Sequence, residues 1–207
     1  MARKAATAFD LKTDLVELRM DHLSDPSLGQ IRKMLSRFLP KSIVTVRPTA
    51  EGGAFPGSED ERIELLLQLA RMGPAYVDVE LNTLRASERL RESMSRERTI
   101  VSWHSLRGTP PTRTLKEVLS QASLLGRVTK IVTLAKEFAD NLRVLSLYDG
   151  DPKGLVAFCM GERGIVSRVL TLRLSPLAYA SLPGEPTAPG QLELPTMVEL
   201  RGLIAGA

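Results

Sequence analysis

Seven short β-branched runs recur along the chain at a spacing of about 25 to 30 residues, separated by segments of helical periodicity. The runs are LVELRM (15–20), IVTVRP (43–48), YVDVEL (76–81), IVSWHS (100–105), VTKIVTLA (128–135), LVAFCMG (155–161) and LAYASL (177–182). Between them lie amphipathic stretches such as SEDERIELLLQLARMG (58–73), PTRTLKEVLSQASLLG (111–126) and KEFADNLRVLSLYDG (136–150). Strict alternation of strand and helix demands a parallel sheet, because each crossover helix returns the chain to the same end. This many units favours a closed (β/α)8 TIM-type barrel over an open doubly wound sheet. No G-x-G-x-x-G or Walker-type loop follows a strand, so a nucleotide-binding fold has no support.

An eight-stranded barrel needs one run more than the seven visible. The residues before LVELRM read as a helix or an irregular lead-in. The expectation is a single barrel domain over 1–207 that starts one strand late, leaving an unpaired edge.

Period-2 alternation sorts the strand residues into two faces. Glu17, Arg19 and Asp21 share one face of the first run, opposite Val16, Leu18 and Met20. Thr45 and Arg47 lie opposite Val44 and Val46; Asp78 and Glu80 lie opposite Val77, Val79 and Leu81; Ser102 and His104 lie opposite Val101 and Trp103. The apolar faces should pack on helices. The other faces should point into the barrel and gather charge at the C-terminal strand ends, where barrel enzymes build their sites.

The run VTKIVTLA places Lys130 inside an apolar, β-branched segment. A buried, unpaired ammonium costs several kcal/mol, so the group either reaches water at the strand end or has a task. With a histidine, a glutamate and several arginines at other strand ends, the residue types compose a Schiff-base site with an anion clamp. Burial and neighbouring positive charge would favour the neutral, nucleophilic amine.

Composition narrows the alternatives. The 207 residues carry a formal net charge of +4, but basic and acidic residues are interleaved and aromatics make up only 4%, which gives no basic stripe or stacking platform for nucleic acid. No apolar run approaches the roughly 18 residues of a membrane span, and MARKAATAFDLKTDLVE lacks the apolar core of a signal peptide. A lone Cys159 excludes an internal disulfide and fits a reducing, cytoplasmic setting. Two histidines and one cysteine offer no metal-ligand spacing.

Other features have plainer readings. His22 reads as a loop histidine, Cys159 as packing on the face opposite Phe158 and Met160, and RASERLRESMSRER (85–98) as a solvated helix face. MGERGIVSR could cradle a phosphate at a helix N-terminus, though a carboxylate uses the same geometry.

The segments ELRMDH, VRPTAEGG, YVDVEL, VSWHS, KIVTLA, FCMGERGIVSR and PTAPGQ stand in the order, and at about the spacing, that resembles type I 3-dehydroquinate dehydratase, from about residue 14 onward. The resemblance implies a (β/α)8 lyase of the shikimate pathway that dehydrates 3-dehydroquinate to 3-dehydroshikimate through an imine, without metal or organic cofactor. It implies Lys130 as the Schiff-base lysine, His104 as general acid and base, and Glu80 as the carboxylate that orients the histidine. Arg168 matches the arginine for the substrate carboxylate. Glu17, Arg19 and Arg47 match polar groups that hold ring hydroxyls and balance charge. Gln191 and Thr187 lie in the closing loop, where Thr187 replaces the usual serine, and Phe158 and Met160 line the pocket. A homodimer is common in the family; partners from the nucleic-acid or membrane classes are not expected. The family's first strand has no counterpart here. Two alternatives stand beside this reading: another Schiff-base barrel of the class I aldolase type, and an inactive barrel serving as an interaction partner.

Overall fold

The computed structural model describes residues 1–23 and 28–205. Among these residues six strands form a sheet in chain order: β1 (Val16–Arg19), β2 (Ser42–Thr45), β3 (Tyr76–Glu80), β4 (Thr99–Ser105), β5 (Val128–Leu134) and β6 (Leu155–Met160). The helices among the described residues are α1 (Ala2–Asp10), α2 (Leu28–Leu35), α3 (Glu59–Ala70), α4 (Leu81–Ala86), α5 (Glu88–Ser93), α6 (Thr112–Ser123), α7 (Ala139–Leu145), α8 (Ile165–Leu174) and α9 (Leu194–Ala205). The chain divides into two units, Met1–Val101 with Leu125–Arg127, and Ser102–Leu124 with Val128 onward.

In the first unit, β1 pairs β2 and β2 pairs β3, all parallel. Register sets Arg19 beside Thr45 and Thr45 beside Asp78, which lines up the polar positions of three strands on one face. The segment ahead of β1 is helical, as its sequence suggested, and turns at Lys12 with φ 65°. The run from Glu59 becomes helix because Ser58 and Glu61 form a reciprocal cap: Ser58 Oγ accepts the Glu61 amide at 3.3 Å while Glu61 Oε2 accepts the Ser58 amide at 2.7 Å. Along α3, Arg62, Leu66 and Leu69 follow one another at helical spacing, and all three are buried. The basic run 85–98 forms two short helices and a 3-10 turn rather than one helix, with Ser87 ending α4 and capping α5 through the Leu90 amide.

In the second unit, β5 and β6 pair in parallel from Thr129↔Leu155 to Leu134↔Met160. One face of the pair is helix-covered: Ile131, Leu155, Ala157 and Cys159 join Leu115 of α6 and Val144 of α7 in one core cluster, with Trp103 packed against it. The Ile, Leu and Val side chains of this cluster each contribute roughly 1.5–3 kcal/mol by leaving water. Cys159 belongs to this packed face, with Sγ 3.3 Å from Thr133 Oγ1, and burial pushes its thiol above the usual range. Lys130, Phe158 and Met160 occupy the opposite face.

The expected seventh strand is not formed. Residues 177–182 contribute only isolated bridges, Ser181 with Glu193 and Leu182 with Glu185. The Ser181 amide donates to Leu192 O at 2.9 Å and Ser181 O accepts the Leu194 amide at 2.8 Å, so this stretch spends its backbone groups on the returning chain. Pro176 and Pro183 flank it and supply no donors.

Gly164 opens the turn into α8, where a methyl group would lie 2.4 Å from Cys159 O. Gly164→Ala is expected to lower the unfolding free energy by about 1–3 kcal/mol, the usual scale of overpacking, measured as a shift of the urea midpoint at unchanged slope.

Candidate active site

The first unit carries a buried charge network. Arg47 follows β2 on the Thr45 face and is only 4% exposed. Its Nη2 donates to Asp78 Oδ1 at 2.8 Å and its Nη1 to Glu80 Oε1 at 2.7 Å, and Glu51 lies 3.9 Å away. Two carboxylates two residues apart on β3 thus receive the fork of one guanidinium, the geometry for which arginine is suited. Burial alone would depress the Arg47 guanidinium, but Asp78, Glu80, Glu17 and Glu51 more than offset it and hold the cation firmly protonated. Glu17 Oε1 accepts from Thr45 Oγ1 at 2.7 Å. Arg19 forks onto Asp21 at 2.9 and 2.6 Å, and the Ala54 amide also donates to Asp21 at 3.1 Å. Burial would raise the Asp21 carboxyl, yet these donors bring it below the usual carboxylate value. His22, beside it, is mostly exposed in the turn after β1.

Glu80 is 1% exposed. Its second oxygen accepts Arg62 Nη1 at 2.6 Å, and Arg62 also donates to Val46 O, Thr83 Oγ1 and Glu59. Burial pushes the Glu80 carboxyl up, while Arg47 and Arg62 pull it back. A carboxylate accepts about four hydrogen bonds, so these contacts leave Glu80 capacity for a further donor. Arg62 was not among the residues expected at the site. Its signal was available: an arginine at the position that Leu66 and Leu69 continue, on the buried face of α3.

In the second unit, Lys130 lies on β5 and is 5% exposed. Its Nζ stands 4.2 Å from the centroid of the Tyr179 ring. Tyr179 lies 6.4 Å, tilted by 42°, from Phe158, and the Arg168 guanidinium sits 4.4 Å over the other ring of that pair, Phe158. Lys130, Tyr179, Phe158 and Arg168 therefore form one continuous cation–ring–ring–cation stack. Met160 ends β6, half-buried, two residues beyond Phe158 on the same face. His104 lies near the end of β4, also half-buried. Tyr179 was missed in the sequence because LAYASL reads as a strand, in which one aromatic carries no special weight.

Arg168 is 4% exposed on the second turn of α8. Its one hydrogen bond among the described residues is a long one, Nη2 to Pro189 O at 3.5 Å, and its Nε has none. Burial, with no carboxylate beside it, lowers the guanidinium pKa to about 10. The turn that delivers Arg168 is held firmly: Asn141 Nδ2 donates to Arg163 O at 2.7 Å, Asn141 Oδ1 accepts the Ser167 amide, and Ser167 Oγ accepts the Cys159 amide at 2.9 Å.

The loop PTAPGQ is seated on the end of β6. The Gly161 amide donates to Pro189 O at 3.0 Å, and Gly190, at φ +71°, approaches so closely that a methyl there would lie 2.2 Å from Gly161 O. Within the loop, Gln191 Oε1 accepts both the Thr187 amide at 2.8 Å and Thr187 Oγ1 at 2.9 Å. The threonine in place of serine keeps the hydroxyl that makes this bond. Gln191 is left with its amide NH2 as donor.

Comparison with known proteins identifies the family and the fold. Residues 1–206 match the family model described as type I 3-dehydroquinase. The chain is 39% identical over 195 residues to the 3-dehydroquinate dehydratase of Thermococcus gammatolerans, covering 93% of this chain and 89% of that one. It is 36% identical to the protein of the same name from Methanothermobacter thermautotrophicus, covering 94% and 86%. Among solved structures, the 3-dehydroquinate dehydratase from Aquifex aeolicus aligns with a TM-score of 0.81 at 31% identity, covering 98% of this chain and 93% of that one. The enzyme of the same name from Geobacillus kaustophilus aligns at 0.84 with 23% identity, covering 99% and 86%, which speaks for the fold. The sheet described above is thus that of a TIM-type barrel, and the chain belongs to the type I 3-dehydroquinase family.

Proposed function

We propose that this chain, a 3-dehydroquinate dehydratase by family, removes water from 3-dehydroquinate through an imine on Lys130 and yields 3-dehydroshikimate for the shikimate pathway. The neutral Lys130 amine adds to the C3 carbonyl to give a carbinolamine, whose hydroxyl takes a proton from the His104 imidazolium and leaves as water. The resulting iminium nitrogen draws electrons from C2, so that the His104 imidazole can take the C2 proton. The electron pair forms the C1–C2 double bond as the C1 hydroxyl departs, protonated by the same imidazole. Water then hydrolyses the imine, returns Lys130 and releases the product, so one water is lost in total. Glu80, at the end of β3, orients His104 in this reading. Arg168 binds the substrate carboxylate, Glu17, Arg19 and Arg47 hold the ring hydroxyls, and Phe158, Met160, Thr187 and Gln191 enclose the ring. No cofactor is needed by this chemistry, because the iminium itself is the electron sink.

The observation that carries the reading is the stack that joins buried Lys130 to buried Arg168, whose guanidinium has no carboxylate partner among the described residues. A nucleophilic amine and an anion clamp are the two groups that a keto acid requires, and a phosphorylated sugar would call for a richer set of donors than one guanidinium. The setting we infer is cytoplasmic, in keeping with one buried, reduced cysteine. Among the described residues no helix is long and apolar enough to cross a membrane. A homodimer is also inferred, supported by the exposed apolar row Val166, Leu170 and Leu174 on α8; sedimentation should give twice the chain mass, and Leu170→Glu should return it to the monomer.

The product enone absorbs in the ultraviolet, so turnover can be followed directly. Lys130→Ala is expected to abolish it, and His104→Ala to reduce kcat by roughly 10²- to 10⁴-fold, the scale of general acid–base catalysis. A Lys130→Ala protein with wild-type turnover would refute the reading.

Arg168 gives a prediction of opposite sign for stability and binding. Its folded pKa of about 10 lies below the ordinary guanidinium value, so its protonation opposes folding at all lower pH, and the penalty fades only as pH rises above about 10. Arg168→Met should therefore raise the unfolding free energy at pH 7 by about 1–3 kcal/mol while raising KM for 3-dehydroquinate by at least about tenfold. Urea unfolding and steady-state kinetics on the same preparation check both halves.

A further inference from the structure

We propose that Tyr179 is a positioning residue for Lys130, holding the amine nitrogen against its ring face and favouring the cationic iminium over the neutral adducts that precede it. The inference rests on the reading of Lys130 as the imine-forming residue and adds a group to that site. Its basis is the 4.2 Å separation between Lys130 Nζ and the Tyr179 ring centroid, well inside the range of about 6 Å at which a ring quadrupole attracts a cation.

Several features make the contact a fixed one. Tyr179 packs on Phe158, which is 4% exposed and rooted in β6 opposite Val132 of the lysine strand. Two residues after the tyrosine, Ser181 is pinned through its amide to Leu192 and through its carbonyl to Leu194. The backbone that carries the ring is therefore tied to the chain that leaves the loop 187–191. Irregular backbone suits this placement, because the ring is aimed by a local pairing and not by strand alternation.

The chemistry follows from where charge sits. The protonated imine carries positive charge on the nitrogen that Tyr179 faces, whereas the neutral carbinolamine before it does not. A ring face at this point stabilises the charged iminium relative to that neutral adduct. It therefore lowers the barrier from carbinolamine to iminium, the step in which the C3 hydroxyl takes a proton from His104 and leaves as water while the nitrogen acquires its charge. On a long lysine stem with several rotatable bonds, the same contact narrows the positions of Nζ before substrate arrives. The ring face, not the hydroxyl, does this work.

The test compares wild type with Tyr179→Phe, Tyr179→Leu and Tyr179→Met, using stopped-flow imine formation at saturating 3-dehydroquinate, steady-state KM and kcat, and mass spectrometry after borohydride reduction. Two apolar variants are included so that a folding defect in one leaves the other to decide, with circular dichroism confirming the fold. Tyr179→Phe is expected to form the imine within about threefold of the wild-type rate. Leu and Met are expected to slow it by about tenfold, the scale of a desolvated cation–ring contact, with KM changed less than about threefold. Imine formation at the wild-type rate in a folded Leu or Met variant would overturn the proposal, as would a Phe variant as slow as Leu. If the wild type itself gives no reduced adduct on Lys130, the function reading fails and takes this one with it; an adduct in every variant at equal rates removes the role of Tyr179 alone.

Discussion

Arg47 leaves its strand with a guanidinium almost wholly out of water, and Asp78 and Glu80 receive its two forked donors at 2.8 and 2.7 Å. Strand alternation requires this pairing. Polar residues two apart point to one face, and a face that is shut off from water cannot leave a charge unmatched without a penalty of several kcal/mol. Once Arg47 is placed, Glu80 needs a partner for its other oxygen, and Arg62 reaches it from α3 while Thr83 and Glu59 satisfy the rest of the Arg62 fork. The result is a rigid, satisfied network in which removing any member strands another.

The second unit meets the same constraint in a different way. Its buried cations, Lys130 and Arg168, face aromatic rings, and Arg168 keeps an unbonded Nε. Rings hold a cation more weakly than a carboxylate does, and a guanidinium so held, as at Arg168, keeps donors for an anion. Cations matched by carboxylates keep their charge at every ordinary pH, whereas a guanidinium brought down to about 10 by burial gains most from an arriving carboxylate.

Much of this was legible in the sequence, and for identifiable reasons. The alternation of β-branched runs with amphipathic segments gave the strand–helix order, and the period of two put Thr45, Arg47, Asp78 and Glu80 on one side and Cys159 opposite Phe158. Arg62 escaped because an arginine in an acidic, amphipathic helix looks solvated unless its place on the leucine face is noticed. Tyr179 escaped because residues 177–182 satisfy the pattern of a strand, and only the competition from residues 192–194 for the Ser181 backbone decides otherwise. Spacing could suggest that PTAPGQ closes on something; that Gly190 meets Gly161 at a distance only a glycine allows is a tertiary fact.

The account turns on Lys130 as the nucleophile. The measurement that tests it most directly is peptide mass mapping after borohydride reduction of the protein in the presence of 3-dehydroquinate. A single reduced adduct on the peptide that contains Lys130 is the predicted result. An adduct on another lysine, or none in a protein that turns over substrate, would contradict the account.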